Sequence, residues 1–343
     1  MRSPSLFRWL RWGALLLVLG ALLVGLTGAV LWSTAGRRLQ REGTLLATAR
    51  GPVEYAEAGA GPPVLLLHGS PGGYDQLLPL ARALARRGYR GITVSRPGYL
   101  RTPRSLGSTP RAQADVMATV LDALGAPSAA VVGVSGGGPA ALEMALRHPA
   151  RVRALVLIAA VSGPYGVDEA ALREASHLGL GWDLTALAGQ ASPSLGLRLL
   201  GVSDPSIRRE LAADPATREA VRYLFGSLGT TPLRAAGYRD DLWTTEALAL
   251  DRRLGAIGAP TLVLHGGDDE SVPLDHGLRV AAAVPGAELE VRQGAGHALP
   301  ILDRPWLEER LLAFLDRVHH QGAGAAGPGG TAQPGAPPAG GPR

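Results

Sequence analysis

From residue 45 to 320, short and nearly uninterrupted apolar runs alternate with stretches whose apolar positions recur every three or four residues. The runs Val64–Leu67, Gly91–Val94, Ala129–Val132, Val152–Ala160, Thr261–Leu264 and Glu288–Val291 predict strands. The amphipathic stretches Tyr74–Arg87, Pro110–Leu124, Pro139–His148, Leu274–Val284 and Trp306–His319 predict helices. Strands that are apolar on both faces belong in a sheet covered on both sides, so the alternation implies a mostly parallel α/β sheet. Two earlier runs, Leu45–Thr48 and Val53–Glu57, predict a leading antiparallel hairpin. The rhythm breaks over 161–250, where helical pieces follow one another without a strand. That block reads as a helical cap inserted into a core made of 45–160 and 251–320.

The two ends follow other rules. Residues 12–32 contain no charge, and Trp12 and Trp32 close the run. Twenty-one helical residues span about 30 Å, the thickness of a bilayer core, so this segment is expected to be an uncleaved single-pass anchor. A cleavable signal peptide is the rival, with Ser33-Thr34-Ala35 as its cleavage site, but the apolar run is long for one. Residues 1–11 form a basic leader and 33–44 a linker. Arginines flank the anchor almost evenly and lean toward an inside N-terminus, with the body on the non-cytoplasmic side. Ala21, Gly25 and Ala29 make a small-residue stripe of the kind that packs two anchors, although such a stripe arises readily by composition in a chain this rich in Ala and Gly. Residues 321–343 hold almost no apolar side chain larger than Ala and predict a disordered tail.

Charge sharpens this division. The chain of 343 residues has 34 basic side chains, all Arg, against 29 acidic ones, and an isoelectric point near 10. Six of the arginines precede residue 45, where the only acid is Glu42, so the body itself is close to neutral. The excess fits a membrane flank, and no nucleic-acid partner is expected. The absence of Lys and Cys removes the phosphate-loop lysine, Schiff-base chemistry, thiolate nucleophiles and cysteine-bound metal. An oxygen nucleophile remains.

In an open α/β sheet, ligands bind at the carboxyl ends of the strands. The turns there read His68-Gly69-Ser70-Pro71-Gly72-Gly73, Ser95-Arg96-Pro97-Gly98-Tyr99, Gly133-Val134-Ser135-Gly136-Gly137-Gly138-Pro139, His265 to Pro273, and Gly294-Ala295-Gly296-His297. In this order and spacing they resemble the α/β-hydrolase fold family over about residues 45–318. A G-x-S-x-G motif alone is a weak signal. Here an apolar strand runs into it and a helix leaves it, as a nucleophile elbow requires.

The resemblance implies Ser135 as nucleophile and His297 as its base, on a loop bracketed by glycine. The third member, a carboxylate that orients the imidazole, falls on Asp269 when the family pattern H-G-x-x-D-x-x-V-P is laid over this turn. Asp268 is then a solvated neighbour. Backbone N–H groups of Ser70 and Gly136 are the expected oxyanion donors, and the Ser70 hydroxyl either adds a third hydrogen bond or caps the turn. His68 and His265 fit a structural H-G turn, and the remaining histidines fit surface or capping roles. The sequence departs from the family at Ser95, where an acid is usual, and at Leu100, where a small residue is usual.

The resulting expectation is a serine hydrolase for a small-to-medium carboxylic ester, apolar on its acyl side, with no cofactor and no metal. Rivals on the same three residues are a peptidase, a carbon–carbon bond hydrolase and a cofactor-free haloperoxidase. A membrane-tethered ligand-binding module is the rival from another class. Peptide recognition would draw on the cap acids Asp168, Glu169, Glu174 and Asp183, which a solvated helix face explains equally well. The cap aromatics Tyr165, Trp182, Tyr223, Phe225, Tyr238 and Trp243 either pack the cap or line an acyl pocket. The oligomeric state is not encoded in any of these features.

Overall fold

A computed structural model describes residues 41–164, 180–202, 204–229, 231–246 and 253–325, with scattered positions between 11 and 39. Eight strands form one sheet: β1 Thr44–Thr48, β2 Gly51–Ala58, β3 Pro63–Leu67, β4 Arg90–Val94, β5 Ala129–Val134, β6 Val152–Ile158, β7 Thr261–Gly266 and β8 Glu288–Arg292. Their order is β1-β2-β4-β3-β5-β6-β7-β8. The leading pair and β2–β4 are antiparallel; every other pairing is parallel. The predicted sheet and its hairpin are therefore present.

Both faces of the sheet are covered. Helices α1 Tyr74–Ala85, α2 Pro110–Ala123 and α3 Gly138–Arg147 connect the early parallel strands. On one face α2 and α3 place Met117, Val120 and Leu142 over Leu65, Val131 and Leu157. On the other, α1 and the last helix place Leu78, Leu84, Leu311 and Leu315 over Leu66, Val132 and Val156. Consecutive residues of one strand thus enter opposite cores, which is why these strands are apolar throughout.

Between β6 and β7 the described residues form α4 Leu180–Ala191, α5 Pro193–Leu199, α6 Pro205–Ala213, α7 Pro215–Leu228 and α8 Ala235–Glu246. Three of these begin at a capping residue followed by proline. Ser192 accepts from the Leu195 N–H, Asp204 from Ser206 and Ile207, and Asp214 from Thr217. A side-chain acceptor at the N-cap with Pro at the first helical position fixes a helix start locally. Helices α9 Asp275–Ala283, α10 Leu299–Leu302 and α11 Arg304–Ala325 complete the chain.

One expectation changes, and another is not met among the described residues. Helix α11 runs on to Ala325, so it takes up the first five residues assigned to the tail: continued backbone hydrogen bonding carries the helix through Gly322 and Gly324, which composition alone reads as breakers. Residues 326–343 lie outside the described residues. The membrane anchor expected over 12–32 is not found: among the described residues no helix is long and apolar enough to cross a membrane. Only part of that segment is described. The described positions, Trp12, Leu15, Leu16, Val18, Leu19, Leu22 and Leu26 among them, are helical and exposed.

Candidate active site

Strand β5 delivers Ser135 into a sharp turn before α3. Ser135 has φ of +48°, a left-handed conformation that an L-residue holds only when its surroundings enforce it. The enforcement comes from close packing. A Cβ on Gly137 would lie 2.4 Å from the Leu67 carbonyl oxygen, and one on Gly133 would lie 2.7 Å from the Ala141 methyl. The two glycines let the strand and helix pass at that distance.

The three residues picked from the turns meet. Ser135 Oγ lies 3.1 Å from His297 Nε2, and His297 Nδ1 lies 2.8 Å from Asp269 Oδ2. The Asp269 side chain is fully buried, and its other oxygen accepts from the Ser271 and Val272 N–H groups at 3.0 and 2.8 Å. An ionised carboxylate held in this way keeps the proton on His297 Nδ1 and leaves Nε2 to accept from the Ser135 hydroxyl. Asp268, the competing acid, is exposed.

Ser70 and Gly136 adjoin one another. A Cβ on Gly136 would sit 3.4 Å from Ser70 N and would collide with Ser70 Oγ. The absence of a side chain at 136 thus makes the space that the Ser70 hydroxyl occupies. That hydroxyl donates to Asp241 of α8, a cap residue that no motif announced. Asp241 also accepts from the Tyr99 hydroxyl, and Arg96 clasps it with two bonds of 2.7 and 2.6 Å. Arg96 further donates to the His68 carbonyl and to Gln113. A cap carboxylate therefore braces the turn that carries one expected oxyanion donor.

The cap is tied down twice more along the same edge. Arg234 pairs with Asp75 at 3.1 and 2.9 Å, with neither side chain exposed, and Arg104 forks onto Asp240 at 2.7 Å through each nitrogen. The Ser95 departure also has an explanation. Ser95 Oγ donates to Glu54 of β2 at 3.1 Å and accepts from the Tyr74 N–H, so a carboxylate reaches this place from a neighbouring strand.

His68 and His265 are structural, as expected. His68 donates from Nδ1 to the Gly69 carbonyl at 2.7 Å and accepts from the Arg96 N–H at Nε2, a set that only the neutral ring satisfies. Burial, aided by the Arg96 charge, pushes its pKa well below the ordinary histidine value; burial also lowers that of His265. A folded-state pKa below the unfolded one means that the unfolded chain takes up more protons as pH falls. Thermal stability should therefore be level above about pH 7 and fall below about pH 6.5, by up to about 1.4 kcal/mol per pH unit for each ring. Melting temperatures between pH 5 and 8 check this; a rise in stability toward pH 5 would contradict it. His276 is buried rather than superficial and accepts from the Ser162 N–H at 3.1 Å, in the loop that follows β6.

Two cavities open on the serine. The smaller, about 230 Å³, is lined by Ser70, Ser135, His297, Trp182, Tyr238 and Leu242, with Arg96, Gln113 and Asp241 also reaching it. Trp182 and Tyr238 thus face the site, whereas Phe225 packs against Leu197 and Val221 in the cap's own core. Tyr165, Asp168, Glu169, Glu174 and the side chain of Trp243 lie outside the described residues. Among the described residues no cluster of His, Cys, Asp and Glu could hold a metal ion.

The family model for the alpha/beta hydrolase fold matches residues 62–303. The chain belongs to the alpha/beta hydrolase fold family. Within it, the chain is 33% identical over 272 residues to a 2-hydroxy-6-oxononadienedioate/2-hydroxy-6-oxononatrienedioate hydrolase of Paraburkholderia phymatum, covering 77% of this chain and 90% of the relative. It is 30% identical over 258 residues to a 2-hydroxy-6-oxo-6-phenylhexa-2,4-dienoate hydrolase of Burkholderia cepacia, covering 71% and 84%. Among solved structures, an alpha/beta hydrolase fold protein from Nakamurella multipartita superposes with a TM-score of 0.67 at 34% identity, covering 80% of this chain and 99% of that one. This alpha/beta hydrolase is, like its named relatives, a hydrolase.

Proposed function

We propose that this alpha/beta hydrolase cleaves uncharged carboxylic esters through an acyl-enzyme on Ser135. The Ser135–acyl bond forms as His297 Nε2 takes the hydroxyl proton, with Asp269 holding the resulting imidazolium and the Ser70 and Gly136 N–H groups facing the oxyanion. Collapse breaks the ester C–O bond, and the alcohol leaves with that proton. Water repeats the sequence, releases the acid and restores the serine. The carrying observation is the Asp269–His297–Ser135 hydrogen-bond chain at 2.8 and 3.1 Å.

The choice of an uncharged ester rests on Arg96. It is the cation that reaches the small cavity, and both of its terminal nitrogens are engaged by Asp241. A substrate carboxylate would meet a pair already neutralised. Hydrolysis of a carbon–carbon bond is the second reading, favoured by the names of the relatives. Assay of neutral alkyl esters beside a 2-hydroxy-6-oxo-dienoate separates them. Preference for the ester by tenfold or more in kcat/KM supports the first reading, and preference for the dienoate replaces it with the second.

The same proposal keeps residues 12–32 as a membrane anchor, supported by their apolar run and by the exposure of the described positions. Full-length protein that leaves the membrane pellet in alkaline carbonate would refute that part.

A further inference from the structure

The second cavity is larger than a small ester needs. It measures about 1000 Å³ and runs from the serine between cap helices α5, α6 and α7 and core helices α1, α10 and α11. Ser70, Ser135 and His297 line both cavities, so the two spaces meet at the reacting atoms. Along the large arm aliphatic side chains make up much of the wall, including Leu77 and Leu80 of α1, Leu211 of α6, Leu224 of α7, and Leu299 and Ile301 of α10.

Charge in this arm is compensated or acidic. Arg292 pairs with Asp303 and Arg304 with Glu308, each at 2.5 Å, while Asp204 serves as the N-cap of α6. Glu219, Asp268 and Glu270 add further negative charge. An anionic group gains little here, whereas an aliphatic chain would cover walls that otherwise face water. A groove continuous with a nucleophile is filled by the substrate's own chain. At about 30 Å³ per carbon, roughly the room of a water molecule, a chain of twelve carbons needs about 360 Å³ and fits well within this space. The small arm admits only a short second part.

Resting on the ester reading above, we infer that the substrate is an ester with one long, unbranched apolar chain, laid in the groove between α7 and α10, and a compact group on the other side of the carbonyl. The long chain belongs to either the acid or the alcohol, and two series of substrates distinguish these: methyl esters of C4 to C12 acids, and C4 to C12 alkyl acetates. The enzyme is the full-length chain in detergent, with substrates kept below their micellar concentrations.

In one series kcat/KM should rise with length, by up to about fourfold per added methylene and at least about 100-fold from C4 to C12. Ala220→Trp, on the groove wall of α7, should shift the optimum of that series to shorter chains; Leu224→Trp serves as a second plug if the first does not fold. Turnover that peaks at four carbons or fewer in both series would overturn the inference while leaving the esterase reading intact. An optimum unmoved in a folded plugged variant would also overturn it. Failure to hydrolyse any ester, together with no reaction of Ser135 with a fluorophosphonate, would overturn the esterase reading and this inference with it.

Discussion

Ser135→Ala is expected to lower kcat by about 10⁴- to 10⁶-fold while leaving the melting temperature nearly unchanged. The size follows from what is removed. Without Oγ no acyl-enzyme forms, and His297 and Asp269 have no hydroxyl to activate, so all three contributions are lost together rather than in part. Any residue of activity would come from the expected oxyanion donors acting on water. The stability effect is far smaller than that of a core truncation, because Ser135→Ala keeps the backbone at φ +48° and gives up only the hydroxyl and its hydrogen bond to His297. Kinetics on a good ester and a melting curve check both halves. A variant retaining a tenth of wild-type turnover would rule out Ser135 as nucleophile.

The largest loss of stability is expected at the buried pair that holds the cap. Asp75→Ala strands the Arg234 guanidinium, which has no exposure, and Arg234→Ala strands Asp75 in the same way. Removing one partner from such a pair typically costs about 3–5 kcal/mol, because the remaining charge keeps its desolvation penalty without its counter-ion. Arg234 also donates to the Gly229 carbonyl, and the Tyr223 hydroxyl to the Asp75 carbonyl, so α7, α8 and the start of α1 loosen together. The double replacement Asp75→Leu with Arg234→Met should recover much of the loss, since no charge is left buried. Denaturant unfolding of the three variants separates these expectations. A single variant within 1 kcal/mol of wild type would show that the pair does not hold the cap.

The same contrast explains what could be read from the chain. Strands β3, β5, β6 and β7 were legible because each feeds residues into both cores, as Leu65 and Leu66 do, which makes their apolar runs continuous. The site was legible because turns at strand ends carry local signatures: glycines at 133 and 137 that tight packing demands, and Asp269 two and three residues before the N–H groups it accepts from. The cap boundaries were present locally in Ser192-Pro193, Asp204-Pro205 and Asp214-Pro215, although periodicity alone ran these helices together. Asp241 and Arg234 had no such signature. Their partners lie 145 and 159 residues away, and only the docked cap makes them meet. For the same reason Glu54 could not be matched to Ser95 before β2 was placed beside β4.

Reaction of the full-length protein with a fluorophosphonate, followed by peptide mapping, tests the role of Ser135 most directly. One phosphonate per chain is expected, on the peptide that contains Ser135, with its loss in His297→Ala. A folded protein that takes up no phosphonate, or takes it up on another serine, would contradict that role.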